Sequence, residues 1–257
     1  MLVSLALLMS VACIEYDFQG PPPDVIAPID TADPGTEPVD PTPVADAPVY
    51  ANTSTELFEV DPETGVRVHR GQFHDGLGVV ENMVDIAIDL DGRMFGGTYD
   101  AIYRIDPFTA AVTKVCDTEL RPYALAFTSD GVLFAGAGGD ISSIDLNTCA
   151  VHGLLVNSVF QTSGDLVGLP DGFLYWTVKG ASGDELVRLD PNNGSTRWVG
   201  TIDAVGLFGL GYDADQLYGF SRYGDIVRVS PTSGHTTTTS TDDTISWWGA
   251  TTNPVVW

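Results

Sequence analysis

Positive charge is scarce in this 257-residue chain. Eleven Lys and Arg face 35 Asp and Glu, the formal net charge is −24, and lysine occurs only at Lys114 and Lys179. Nucleic acid and anionic lipid surfaces both call for basic patches, so neither is expected as a partner. Long apolar runs are lacking too: the run that ends at Val11-Ala12-Cys13 is too short to cross a bilayer as a helix. No segment reads as a helix, and no serine sits in a strand–turn–helix elbow, so a Ser-His-Asp constellation has no support. Metal-ligand clusters are absent. The four histidines are His69, His74, His152 and His235; His69 and His74 lie five apart at a strand end, with no third ligand at metal spacing. Asp89-Leu90-Asp91-Gly92 begins as a calcium loop does, but Arg93, Met94 and Phe95 follow where oxygen ligands are needed. Gly136-Ala137-Gly138-Gly139 lacks the Lys-Ser/Thr of a phosphate loop. No metal and no cofactor are expected.

What is abundant is repetition. The segment Leu57–Gly65 (LFEVDPETG) returns as Ile102–Ala110 (IYRIDPFTA), Ile141–Cys149 (ISSIDLNTC), Leu186–Gly194 (LVRLDPNNG) and Ile226–Gly234 (IVRVSPTSG). The starts are 45, 39, 45 and 40 residues apart. Alternation of apolar and polar residues marks a strand with one buried face. The Asp-Pro-x-Thr-Gly that follows is a turn: Asp and Thr bond nearby amides, Pro fixes φ, and Gly accepts positive φ. Upstream of most copies lies a second unit, DIAIDLDGRMFGGT from Asp85, YALAFTSDGVLFAGA from Tyr123, DLVGLPDGFLYWTV from Asp165 and FGLGYDADQLYGFS from Phe208. Each reads as two strands around a tight turn, at Asp91-Gly92, Asp130-Gly131, Asp171-Gly172 and Ala214-Asp215. One repeat is therefore four antiparallel strands, A to D, in about 42 residues, the unit of a propeller blade.

The expected fold is all-β, a five-bladed β-propeller over residues 47–257 closed by both chain ends. Trp247–Trp257 (WWGATTNPVVW) reads as a fifth A strand and the start of a B strand, while Val49–Thr53 also reads as that blade's B strand. Val49-Tyr50 and Val256-Trp257 thus compete for one position. Closure removes free sheet edges, and a monomer is expected. These repeats resemble the broad group of secreted β-propellers related to NHL and YVTN repeat proteins. The resemblance implies the fold from Ala47 onward and no catalytic residue, because such propellers host many unrelated functions.

Ahead of the propeller, residues 1–13 read as a signal peptide whose Cys13 resembles a bacterial lipobox cysteine. Ser10 replaces the usual Leu, and the absence of Lys and Arg before the apolar run points to a start further upstream. Ile14 is not the Asp that retains many lipoproteins at an inner membrane, so outer-membrane or surface display is expected, with plain secretion or a periplasmic location as the alternative. Residues 14–46 form a linker. Gln19–Pro48 holds nine prolines, six acidic residues and no aromatic, a composition that cannot bury enough apolar surface to order itself. Cys116 ends one D strand and Cys149 begins the next. Neighbouring D strands run the same way, which sets the two cysteines at opposite faces and favours independent thiols over a disulfide.

Site candidates come from the starts of the A strands. Asp85 and Asp165 open two of them, Tyr123 and Phe208 read as the equivalent positions in others, and Trp247-Trp248 serve the last. Carboxylates beside rings at a propeller mouth suit sugar recognition. The competing reading is that the Asp side chains bond backbone and the rings fill space between blades. The function read from the sequence is a non-enzymatic, envelope-anchored module that binds or scaffolds a protein or glycan and meets the membrane only through its lipid. The alternative is a hydrolase, such as a glycoside hydrolase resembling the arabinanase-type propellers, with Asp85 and Asp165 as its carboxylate pair. A lactonase resembling the six-bladed gluconolactonase type would need a metal-binding Glu, Asn and Asp trio that the inner strands do not supply.

Overall fold

A computed structural model of the chain describes residues 49–256. Cys13, segments 1–13 and 14–46, and Trp257 lie outside the described residues. Blade 1 begins the described chain with β1 (Val49–Asn52), β2 (Glu56–Val60) and β3 (Arg67–Gln72). Blade 2 is β4 (Asp85–Ile88), β5 (Met94–Gly97), β6 (Ala101–Ile105) and β7 (Val112–Asp117). Blade 3 is β8 (Ala124–Phe127), β9 (Leu133–Ala137), β10 (Asp140–Asp145) and β11 (Ala150–Leu155). Blade 4 is β12 (Thr162–Gly168), β13 (Leu174–Lys179), β14 (Asp184–Leu189) and β15 (Thr196–Thr201). Blade 5 is β16 (Leu207–Asp213), β17 (Gln216–Ser221), β18 (Asp225–Val229) and β19 (Thr236–Thr241). The last strand, β20 (Gly249–Thr252), returns to blade 1 and pairs with β1, Val49 facing Thr252 and Asn52 facing Gly249. Every sheet is antiparallel with four strands, and the five-bladed propeller is closed by its two chain ends.

The competition for blade 1's second strand resolves in favour of β1. After Thr252 the chain makes a 3-10 turn over Pro254–Val256 and forms no B strand, because Pro254 has no N–H to donate to a ladder.

Each hydrophobic cluster lies between two blades, so every sheet is apolar on both faces. Tyr50, Leu57, Met83 and Ile86 join blades 1 and 2; Val167, Leu186, Leu210 and Val229 join blades 4 and 5. At the seam between blades 5 and 1, the buried Trp247 meets Phe58 and Phe220 edge-on, with ring centres 5.6 and 5.7 Å away. The inner strands β4 and β20 are buried throughout, and the outer strands β3 and β19 bury none of their residues.

The repeated turn has one conformation in all five blades. Its last residue sits at positive φ: Gly65 at 71°, Ala110 at 58°, Cys149 at 59°, Gly194 at 73° and Gly234 at 77°. Its N–H donates back to the carbonyl four residues earlier, as from Gly65 to Asp61 and from Cys149 to Asp145. The Asp61, Asp106 and Asp145 carboxylates each accept two further turn amides. Just beyond, each D strand carries one extra residue opposite its C strand, at Arg70, Val115, Leu154, Val199 and Thr239.

These features overturn the expectation of independent thiols. Cys116 and Cys149 form a disulfide with Cα atoms 5.6 Å apart. Strands twist by roughly 20–25° per neighbour, so a blade's fourth strand runs around the rim instead of along the axis, and the bulge turns it further. The end of one D strand therefore meets the next blade's C–D turn. The same contact recurs around the ring: Gly71 approaches Thr109, Leu154 approaches Gly194, Gly200 approaches Ser233, and Ser240 approaches Gly65. A Cβ on Gly200 would sit 1.8 Å from the Ser233 carbonyl oxygen. Between blades 2 and 3 the disulfide occupies this position.

Removing that bond in a Cys116→Ser, Cys149→Ser variant is expected to lower unfolding free energy by about 4 kcal/mol, the loop-closure value for a bridge spanning 33 residues. Urea unfolding without reductant measures it, and equal midpoints for the two proteins would refute a stabilising role.

Candidate functional site

The ring's geometry at the axis is set by the first residues of the five inner strands. Strand pairing aligns Asp85, Ala124, Asp165, Gly209 and Gly249 at one level, since their B-strand partners fall at equivalent points of the repeat. The next residue of each strand aims its backbone N–H at the axis. Asp85 accepts from Ile86 and Leu125, at 2.8 and 2.6 Å. Asp165 accepts from Leu166, Leu210 and Ala250. Two carboxyl groups thus satisfy five amides, one from each blade. Both are buried, at 1% and 0% exposure, and they are hydrogen-bonded to one another.

Burial far outweighs other influences on this pair. It drives the Asp85 carboxyl well above the ordinary carboxylate range, helped by the negative charge of Asp165. Burial also raises Asp165, to about 7, against the pull of its hydrogen bonds. The pair therefore keeps protons to higher pH than ordinary carboxylates do. The remaining positions are small because there is no room: a Cβ on Gly249 would lie 2.3 Å from Asp85 Oδ1.

This alignment corrects the sequence register by one residue. Tyr123 and Phe208 do not match Asp85 and Asp165; they match the residues just before, Val84 and Gly164, with Trp248 in blade 1. Successive residues of a strand point to opposite sides, so the one-residue step separates two functions. The Asp side chains turn inward and carry the backbone amides. Val84, Tyr123, Gly164, Phe208 and Trp248 line a cavity of ≈ 530 Å³ at the axial mouth, together with Tyr99, Lys179, Ser163 and others. Tyr99 and Tyr123 meet edge-on at 6.0 Å. Of the six residues proposed from sequence, Tyr123, Phe208 and Trp248 stand on this wall, Asp85 and Asp165 lie beneath it, and Trp247 belongs to the seam between blades 5 and 1.

Sequence reading missed Tyr99, Ser163 and Lys179. Tyr99 sits in a B–C turn and Lys179 ends β13 just before one; the spacing of these turns varies from blade to blade, and the sequence gives no sign that they lean over the axis. The opposite mouth, ringed by Leu90, Phe127, Thr252 and Pro254, holds only ≈ 10 Å³. The axis is a blind cavity, not a pore. Among the described residues no group of three or more His, Cys, Asp or Glu is placed to hold a metal.

No protein-family model matches the chain, and no curated protein matches it in sequence. Among solved structures, a chain from a nidogen/laminin complex is similar, with a TM-score of 0.55 at 13% identity over 80% of this chain and 98% of that one. A structural-genomics protein of unknown function from Bacteroides thetaiotaomicron is also similar, with a TM-score of 0.51 at 13% identity over 74% of this chain and 56% of that one. The likeness is one of fold, a β-propeller.

The carboxyl pair has a measurable consequence. Both groups keep a proton to higher pH in the folded ring than in the unfolded chain, so the fold binds more protons between the ordinary value of 3.8 and the raised values. This contribution to stability is full below about pH 4 and declines as pH rises through about 7. An Asp85→Asn variant loses one acceptor for the ring amides, at a cost of about 1–3 kcal/mol, but has no proton to lose at that position, leaving only Asp165 to titrate. Urea midpoints from pH 4 to 8 should therefore fall for the native protein and stay flatter for the variant, the gap narrowing as pH rises. Parallel curves would rule out proton sharing.

Proposed function

We propose that the chain is a non-enzymatic binding module that takes a protein or glycan partner on the face bearing the axial cavity. The observation that carries this reading is the convergence of one residue from each of five blades, Val84, Tyr123, Gly164, Phe208 and Trp248, on a single cavity. Rings that face solvent in a concave site bury large area on binding at little entropic cost. The nidogen/laminin neighbour supports the protein arm of the proposal, since that propeller was captured in a complex. Against the glycosidase alternative stands the burial of Asp85 and Asp165, whose oxygens are committed to backbone amides and to each other. The same proposal places the module outside a bacterial cell, anchored to the outer membrane or cell surface by a lipid on Cys13 and spaced from it by the proline-rich segment 14–46.

Two experiments test the two parts. Trp248→Ala and Tyr123→Ala should each weaken capture of the partner from envelope extracts by at least about thirtyfold, the loss typical of a buried aromatic anchor, without changing the unfolding midpoint. Undiminished capture by both variants removes the axial face from consideration. Cys13→Ser should abolish incorporation of labelled fatty acid and release the protein from membranes; a variant that still sediments with them refutes the anchor.

A further inference from the structure

The charges around the cavity narrow the ligand. In a protein of net charge −24 with eleven Lys and Arg, five basic side chains are paired with carboxylates: Arg67 with Asp242, Arg70 with Glu59, Arg93 with Asp89 and Asp91, Lys114 with Asp117, and Arg228 with Glu63. Lys179 has no carboxylate partner among the described residues, and it stands in the cavity wall. Arg222, also without a carboxylate, lies over the wall residue Phe208 at 5.7 Å from the ring centre. No carboxylate lines the cavity. Those on the surrounding loops are turned to other donors: Asp100 accepts from Thr98, Asp140 from the Asn157 amide, and Asp184 from the amides of Gly206 and Leu207. The acidic surface therefore stops at the cavity rim, and inside it the side-chain charge is positive.

Ser163 also belongs to the wall, but its Oγ is shielded from solvent and stays out of a ligand's reach. Aromatic faces suit the apolar face of a pyranose ring. A peptide adding itself as a strand is disfavoured, because the inner-strand amides at this level are already held by Asp85 and Asp165. Rings alone would also cage a quaternary ammonium, but Lys179 in the wall repels a cation.

We infer that the axial cavity binds a short glycan bearing a carboxylate, with Lys179 pairing the carboxylate and Tyr123, Phe208 and Trp248 stacking on the sugar. This rests on the binding reading above and specifies its ligand. A short chain or a chain terminus fits better than a long polyanion: a cavity of ≈ 530 Å³ holds one or two sugar residues, and beyond roughly 8 Å the net charge repels what Lys179 attracts.

The test is calorimetric titration of the full-length protein with digalacturonic acid, its neutral counterpart digalactose, and choline. Digalacturonic acid should bind at least about tenfold tighter than digalactose. Lys179→Met should reduce its affinity to that of the neutral sugar while leaving the affinity for digalactose and the unfolding midpoint unchanged, and Lys179→Arg should restore most of it. Equal binding of the two sugars, or preference for choline, overturns the anionic assignment and leaves a binding cavity standing. Absence of sugar binding, with envelope-protein capture still sensitive to Trp248→Ala, overturns the glycan assignment alone. Absence of both overturns this inference together with the axial binding face.

Discussion

Five backbone N–H groups meet at the centre of the ring, one from each blade, and water cannot reach them. An orphaned buried amide costs about 1–3 kcal/mol, so five would undo much of the stability of an ordinary domain. Asp85 and Asp165 remove that cost with two side chains. The other residues at this level follow from that choice. Gly249 is small because a carboxyl oxygen fills the space its side chain would take, a Cβ there lying 2.3 Å from Asp85 Oδ1, and Gly209 because a Cβ would meet the backbone of Gly249 and Ala250. Two negative charges in so enclosed a place would repel strongly, and a shared proton relieves this. The ring is thus held at its axis by a group whose charge state depends on pH, a constraint that sits beside the binding face without facing it.

At the rim, closure is managed seam by seam with different chemistry at one geometric position. A D-strand end meets the next blade's C–D turn in every case, through a disulfide between blades 2 and 3 and through a glycine approach between blades 4 and 5. Blade 1 has no peptide link between its first two strands, since β20 and β1 come from opposite chain ends, and β1–β3 meet blade 5 through side chains. At that seam Arg67 pairs with Asp242 at 2.7 Å, Arg228 grips Glu63, Thr239 donates to the Pro62 carbonyl, and Trp247 wedges between Phe58 and Phe220. Exposed ion pairs alone contribute little, so the buried indole and its neighbours carry most of this seam.

The blades were legible because alternation and turn chemistry repeat five times. What the sequence hid was register and twist. Counting back six residues from the Asp-Gly turns reaches Asp85 and Asp165, and the same count from Asp130 and Asp215 reaches Ala124 and Gly209, not Tyr123 and Phe208. The signal was there, but the shared apolar look of the strand starts masked a slip of one, and in a strand a slip of one exchanges the two sides. The disulfide was hidden for another reason: strand direction read on a flat blade misplaces its outer edge, and only accumulated twist brings Cys116 to Cys149. Lys179 and Tyr99 could not be read as wall residues because turn positions over an axis leave no periodic trace.

That slip of one also explains how the fold can carry a binding site without endangering itself. Along each inner strand the residue facing the axis belongs to the amide-and-carboxyl ring, and its predecessor faces the mouth. The mouth positions vary widely, from Gly164 and Val84 to Tyr123, Phe208 and Trp248, while the axis positions are confined to Asp, Ala and Gly. Such a division is what physics expects where one set of residues is fixed by burial and hydrogen bonding and the next is free of both. Changes at the mouth alter what a ligand meets without disturbing the ring, and changes at the axis do the reverse. Chemistry that discriminates one partner from another therefore belongs to the mouth and to the turns around it, where Lys179 places its charge.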